Sequence, residues 1–285
     1  MRLAFCKMEG TGNDFVFIDD RDGAHRGREA ELARQLCPRR SSVGADGVIF
    51  VRRPQDGSGC AAEMAYFNAD GSYSGMCGNG LRCTALFVRE RWGLDATSLR
   101  LLVDGKPRLA EIQQTEPRTA LVTVELGVPE LEVDKVPALV PGPRHIGVPL
   151  ELAPGFAPEC TLLSMGNPHC VMWTQDLPAE AVHALGPVVE NHPLFPERVN
   201  AGFARMEAGQ VVLRVWERGS GETLACGSGA AAAAVSAILT GRAVPQQPVI
   251  VRALGGELIV NWPGEGKSAL LSGRARLVYD GTVEV

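Results

Sequence analysis

The chain has 285 residues, long enough for two domains and for cores that need no disulfide staples. With 45% hydrophobic and 21% charged residues it reads as an ordinary globular protein, and a net charge of -5 argues against a nucleic-acid or anionic-membrane partner. Met1–Lys7 lacks the apolar core of a signal peptide, and the most apolar stretch, Ala230–Leu239, is too short to span a bilayer, so a cytoplasmic protein is expected.

In chain order, the apolar run Asp14–Ile18 follows Gly12-Asn13 and predicts a strand. Further short strands are expected at Val48–Val51 and at Met64–Phe67, which ends in Asn68. Leu81–Trp92 begins apolar and turns charged at Arg89-Glu90-Arg91, the pattern of a helix that starts in a core and emerges at Gly93. Strands follow at Leu99–Val103 and Ala120–Leu126, and the proline-rich stretch 128–158 reads as a connection with irregular strands. Pro168–Trp173 and Val211–Trp216 again read as strands. Ala230–Leu239 has high helix propensity and is apolar on every side, so it predicts a buried helix that stops at Gly241. The strands Val249–Arg252, Glu257–Trp262, Ala269–Leu271 and Arg274–Tyr279 complete the chain.

The landmarks repeat. Gly12-Asn13 before a strand has a counterpart in Gly166-Asn167 before Pro168–Trp173. Asn68 ends a strand nine residues before Cys77-Gly78-Asn79-Gly80, and Glu217 ends one nine residues before Cys226-Gly227-Ser228-Gly229. A helix follows each Cys-Gly-x-Gly. The expected fold is therefore α/β (α+β): two pseudo-symmetric domains, each a mixed or antiparallel sheet wrapped around a central buried helix.

The eight cysteines contain no C-x-x-C pair, so neither a disulfide framework nor a metal site is expected. Cys77 and Cys226 differ from the rest because each precedes a glycine-rich helix start. Orphan N–H groups and the positive end of the helix dipole meet there, which predicts a lowered thiol pKa and a place for a carboxylate. Two such helix starts converging on one cleft suit stereoinversion alpha to a carboxylate. One thiolate removes the proton from one face and the other thiol protonates the opposite face. Arg218 suits a bidentate carboxylate contact, and His169, in a repeated landmark, is a candidate functional residue.

Other readings compete. Gly227-Ser228-Gly229-Ala230-Ala231-Ala232 matches G-x-G-x-x-A, but the strand ends too early and no acid follows until Glu257, which argues against a dinucleotide site. A thiol redox or peroxide-sensing protein would use the same two cysteines and have no need of Arg218.

Over its whole length the sequence resembles the diaminopimelate epimerase family. The resemblance rests on Lys7–Phe15, Tyr66–Ser72, Met76–Cys83, Gly166–His169, Arg198–Asn200 and Glu217–Gly229. It implies cofactor-independent epimerisation of LL-2,6-diaminopimelate to meso-diaminopimelate, without pyridoxal phosphate, in the biosynthesis of lysine and peptidoglycan precursors. It implies catalytic thiols at Cys77 and Cys226, and tuning of those thiols by His169 and Glu217. Substrate-holding positions fall on Asn13, Asn68, Gly78, Asn79, Asn167, Asn200, Glu217, Arg218, Gly227 and Ser228. It further implies a homodimer and a discontinuous first domain, 1–126 plus 274–285, around a second, 127–273. A substrate-contacting glutamine of some members falls on Gly47 here. Proline and hydroxyproline racemases are the alternative on the same fold; they resemble Cys-Gly-His-Gly at the first thiol, where this chain has Asn79.

Overall fold

The structure is a computed structural model describing residues 2–55, 57–176 and 178–285. The chain divides into two compact units, Met1–Glu125 with Ser272–Val285, and Leu126–Leu271.

In the first unit the elements run β1 (Arg2–Gly10), β2 (Asn13–Asp19), α1 (Glu29–Leu36), β3 (Gly47–Arg52), β4 (Ala62–Asn68), β5 (Tyr73–Ser74), α2 (Gly78–Trp92), β6 (Ser98–Val103), β7 (Lys106–Glu116) and β8 (Thr119–Gly127). The second contains β9 (Val148–Pro149), β10 (Glu159–Ser164), β11 (Pro168–Trp173), α3 (Ala179–Glu190), β12 (Asn200–Glu207), β13 (Gln210–Glu217), β14 (Gly221–Thr223), α4 (Gly227–Leu239), β15 (Val249–Ala253) and β16 (Gly256–Asn261). The chain crosses into the second unit within β8 and returns within β17 (Ala269–Glu284), which pairs antiparallel with β1 from Arg2↔Glu284 to Glu9↔Arg276.

The two units share one topology. In the first, β1–β2 is antiparallel, β2–β3 parallel, β3–β4 and β4–β5 antiparallel, β4–β6 parallel and β6–β7 antiparallel. In the second, β10–β11, β11–β12, β12–β13, β13–β14, β13–β15 and β15–β16 repeat the same sequence of signs. The outer helices α1 and α3 interrupt the two series at the same step, and the inner helices α2 and α4 follow the short strands β5 and β14.

Strand periodicity of two explains how each sheet serves two helices. In β2, Val16 and Ile18 join Leu32, Ala33 and Leu36 of α1 in one core, while Phe17 stacks on Phe87 of α2 at 5.4 Å. In β11, Cys170 and Met172 pack with Val182 and Val189 of α3, while Trp173 Nε1 donates to Ser236 of α4 at 2.9 Å. Strands covered on both faces are largely apolar, as in β3 and β11, where every residue is buried and only Arg52 and His169 are polar. Helix α2 packs on β1, β3, β4 and β7, and α4 on β10, β11, β12, β13, β15 and β16.

Candidate active site

Several inner-face strands end in a polar residue near the start of the inner helix. Asn13 precedes Phe15 and Phe17 on the α2 face of β2. In β4, Asn68 shares parity with Tyr66, whose ring meets Phe15 at 5.6 Å. His169 shares the α4 face of β11 with Trp173. Glu217 shares parity with Val215, which packs against the position of Gly229. Asn200 lies opposite in parity to Phe203, a residue of the α3 core.

In the first unit, Cys77 is the N-cap of α2 and its Sγ accepts the Gly80 N–H at 3.3 Å. A Cβ at Gly80 would lie 2.8 Å from Ile49 Cδ1, so a side chain there would have to displace that methyl group. Asn13 Oδ1 accepts from Asn79 Nδ2 at 3.3 Å and lies 3.8 Å from Cys77 Sγ. Asn13 is fixed from behind, its Nδ2 donating to Asp46 Oδ2 at 2.5 Å; that oxygen also accepts the Asp14 N–H at 3.1 Å. Arg39 bridges Asp14 and Asp46, and Lys7 pairs with Asp14 at 2.6 Å while donating to the Gly44 carbonyl. These charges hold the Asp14 carboxyl below its usual range against burial that pushes it up. Asn68 is tied to the following turn, its Nδ2 donating to Ser72 Oγ at 2.9 Å. A Cβ at Gly47 would lie 2.4 Å from Tyr66 Cε2 and 2.5 Å from the Phe67 carbonyl, so this strand has no space for a glutamine there.

In the second unit, Cys226 is the N-cap of α4 and Sγ accepts the Gly229 N–H at 3.3 Å, with Ser228 Oγ at 3.4 Å. Unlike Cys77, which is half-buried, Cys226 is buried. Its thiol pKa lies well above the ordinary value, pushed up first by burial and then by the Glu217 charge; the bonds from Ser228 and Gly229 work in the opposite direction. The lowered pKa expected from the helix start is therefore corrected for Cys226: in the unliganded chain desolvation and a carboxylate outweigh the cap. Thr223 Oγ1 donates to Glu217 Oε1 at 2.5 Å and orients that carboxylate.

The remaining residues interlock. Asn200 Nδ2 donates to the Pro168 carbonyl at 2.8 Å and its Oδ1 accepts the Arg218 N–H at 2.9 Å. Arg218 Nη1 donates to the Glu197 carbonyl at 2.9 Å. His169 Nε2 pairs with Asn167 Oδ1 at 3.0 Å. Burial and the Arg218 charge push the His169 pKa down to about 3, so its ring is neutral at ordinary pH. Buried Glu190 accepts from Gly219 N at 2.7 Å, Trp216 Nε1 at 2.8 Å and Arg198 Nη1 at 3.2 Å.

Sequence reasoning missed Asp46, Thr223 and Glu190. Thr223, the last residue of β14, lies in the motif segment Glu217–Gly229, whereas Asp46, just before Gly47, lies outside the segments that carry the resemblance. Glu190, at the end of α3, carries no such signal. Among the other cysteines, burial pushes the thiols of Cys6 and Cys37 up to about 12 and raises that of Cys83, as expected of inert core residues.

Solved structures with this fold include a phenazine biosynthesis protein of the PhzF family from Bacillus anthracis (TM-score 0.72, 16% identity, all of both chains). Another is a hydroxyproline epimerase from Agrobacterium vitis with bound trans-4-hydroxy-L-proline (TM-score 0.71, 17% identity, 99% of this chain and 91% of that one). These neighbours share the fold, in which here a thiol caps the buried helix of each unit. The sequence model for diaminopimelate epimerase matches residues 5–132 and 161–278. Curated relatives named diaminopimelate epimerase include those of Pelotomaculum thermopropionicum (39% identical over 281 residues, 98% of each chain) and Synechococcus elongatus (39% over 288 residues, 100% of this chain and 99% of the relative). The chain belongs to the diaminopimelate epimerase family.

Proposed function

We propose that this chain interconverts LL- and meso-2,6-diaminopimelate without pyridoxal phosphate, on the route to lysine and peptidoglycan precursors. Cys77 and Cys226 are the acid/base pair of this reading. The observation that carries it is the thiol cap on each buried helix, with Sγ accepting an N–H at 3.3 Å in both units.

An α-proton is a weak acid, and removing it places charge on the carboxylate. The positive N-terminal ends of α2 and α4, at Gly78-Asn79 and Gly227-Ser228, suit that charge. One thiolate takes the proton from one face of the α-carbon and the other thiol delivers one to the opposite face. The thiols then hold exchanged protonation states, ready for the reverse reaction.

Glu217 takes two roles. In the free chain its charge opposes ionisation of Cys226. A substrate ammonium placed beside Glu217 neutralises that charge, so binding itself favours the thiolate. Neutral His169, oriented by Asn167, acts on the second thiol through its dipole rather than a charge. Asn13, Asn68, Asn79, Asn167, Asn200 and Arg218 hold the amino and carboxylate groups, with Arg218 the carboxylate clamp. The same proposal carries a cytoplasmic location and a homodimer, both implied by the family resemblance.

The test is LL-diaminopimelate in D₂O with reductant and no pyridoxal phosphate, followed by proton NMR. Loss of the α-proton signal with appearance of the meso isomer is expected. It should vanish in Cys77→Ala and in Cys226→Ala, a fall of at least about a hundredfold. Near-normal epimerisation in either variant refutes the two-base reading.

A further inference from the structure

Arg82, on the second turn of α2, is fully buried. Its Nη2 donates to Thr11 Oγ1 at 3.0 Å, while Nε and Nη1 have no hydrogen-bond partner, and it forms no salt bridge among the described residues. A guanidinium does not shed its proton, so this is an uncompensated buried cation, an arrangement folds avoid unless it serves something.

Two features connect it to Cys77. Thr11 lies in the β1–β2 turn at φ 55, followed by Gly12 at φ 81, a left-handed pair that turns the chain into Asn13. Asn13 is the side chain against Cys77 Sγ and Asn79. Arg82 therefore anchors the strained turn that presents Asn13. The second link is electrostatic: Arg82 feels the charges of Cys77, Cys83 and Glu9. Of the charged groups nearby, Lys7 pairs with Asp14, and Arg39 with Asp14 and Asp46. Glu9 is engaged by the Gly12 N–H at 3.3 Å. The buried thiol Cys83 is held neutral. At the equivalent position of the second unit, five after Cys226, the residue is Ala231.

We propose that Arg82 is a positioning residue for the Cys77 half of the reaction: through Thr11 it holds the turn that sets Asn13 against the thiol, and its buried charge compensates the Cys77 thiolate. The two thiols are thereby unequal in the free chain. Arg82 adds a buried positive charge on the Cys77 side, whereas burial and the Glu217 charge both oppose ionisation of Cys226. The inference rests on Cys77 being an acid/base group. Its test needs no substrate, so its failure is distinguishable from failure of the epimerase reading.

The experiment measures the iodoacetamide rate at Cys77 against pH in full-length Cys226→Ser protein, reading the labelled peptide by mass spectrometry. Arg82→Met should raise the Cys77 midpoint by about one pH unit or more, and Arg82→Lys should leave it near the parent value. Thr11→Val, which keeps the charge and removes the hydrogen bond, should lower kcat/KM for diaminopimelate without moving the midpoint. In Cys77→Ser protein, Arg82→Met should leave the Cys226 midpoint in place. An unmoved Cys77 midpoint in folded Arg82→Met protein overturns the proposal, and so does an equal shift at Cys226. Should Arg82→Met fail to fold, the parent chain decides: the Cys77 midpoint must lie below that of Cys226, and the reverse order overturns the inference.

Discussion

Glu190 offers the sharpest test of how the second unit holds its site. Its carboxylate is buried and accepts from three donors: Gly219 N and Arg198 Nη1 at one oxygen, Trp216 Nε1 at the other. Glu190→Gln keeps the shape but makes one oxygen an NH₂. If the amide oxygen stays with Gly219, the NH₂ faces the indole N–H, donor against donor. One charge-assisted hydrogen bond is lost and a buried N–H is left without an acceptor, so the fold should lose about 2–3 kcal/mol. The functional effect follows from position. Trp216 and Gly219 flank Glu217 and Arg218, so kcat/KM for diaminopimelate should fall by about tenfold or more as those side chains loosen. Guanidinium unfolding and α-proton exchange in D₂O read the two effects. The contact itself is isolated by adding Trp216→Phe, which removes the facing donor. The double variant should recover about 1.5 kcal/mol relative to the summed single effects. Strictly additive losses would refute the hydrogen-bond account and assign the effect to packing.

Three further outcomes follow from the site geometry. Glu217→Gln removes the charge that opposes ionisation of Cys226, so the alkylation midpoint of Cys226 in Cys77→Ala protein should fall by about one pH unit; an unchanged midpoint contradicts the assignment. The folded-state pKa of His169, about 3, lies below the unfolded value of roughly 6.5, so the unfolded chain binds the extra proton between those limits. Its contribution is intact above pH 6.5 and lost as pH falls toward 3, at up to about 1.4 kcal/mol per pH unit. His169→Gln should flatten that part of the stability profile in pH-dependent urea unfolding, and an unaltered slope counts against it. Gly47→Ala drives a Cβ into Tyr66 and the Phe67 carbonyl, and should lower stability by about 2 kcal/mol or more in chemical unfolding; a neutral result means β3 can shift.

The helix starts were legible because their signals are local. Cys-Gly-x-Gly followed by a long apolar run places α2 and α4 within a few residues, and Gly93, in the left-handed conformation at φ 68, ends α2 where the charge pattern suggested. The outer helices were not legible. α1 has only eight residues, too few for its good helix formers to stand out in the sequence, and α3 contains Gly186 and Pro187 near its end, so packing rather than propensity holds that one. Strands β1, β7, β10 and β12 also escaped notice, and Ala269–Leu271 and Arg274–Tyr279 proved to be one strand, β17, running through Ser272 and Gly273. Small residues read as a break in isolation, but sheet pairing overrode that local preference. At the site, motif spacing located the side chains that end inner-face strands. It missed what fixes them, because Asp46, Thr223, Glu190 and Arg82 are recognisable only from the partners they meet in space. It also misjudged Cys226, since burial depth is a tertiary property.

The pairing of β1 with β17 bears on how the molecule is made. Arg2 is translated long before its partner Glu284, with both units' remaining strands made in between. At about 5–20 residues per second, β1 waits for tens of seconds with Leu3 and Phe5 lacking the strand beside them. Leu126–Leu271 is a single continuous stretch and meets no such delay. Synthesis therefore favours an inverted order in which the downstream unit matures first. During that interval a chaperone, or a charged neighbour, must shield the open edge from pairing with another nascent chain.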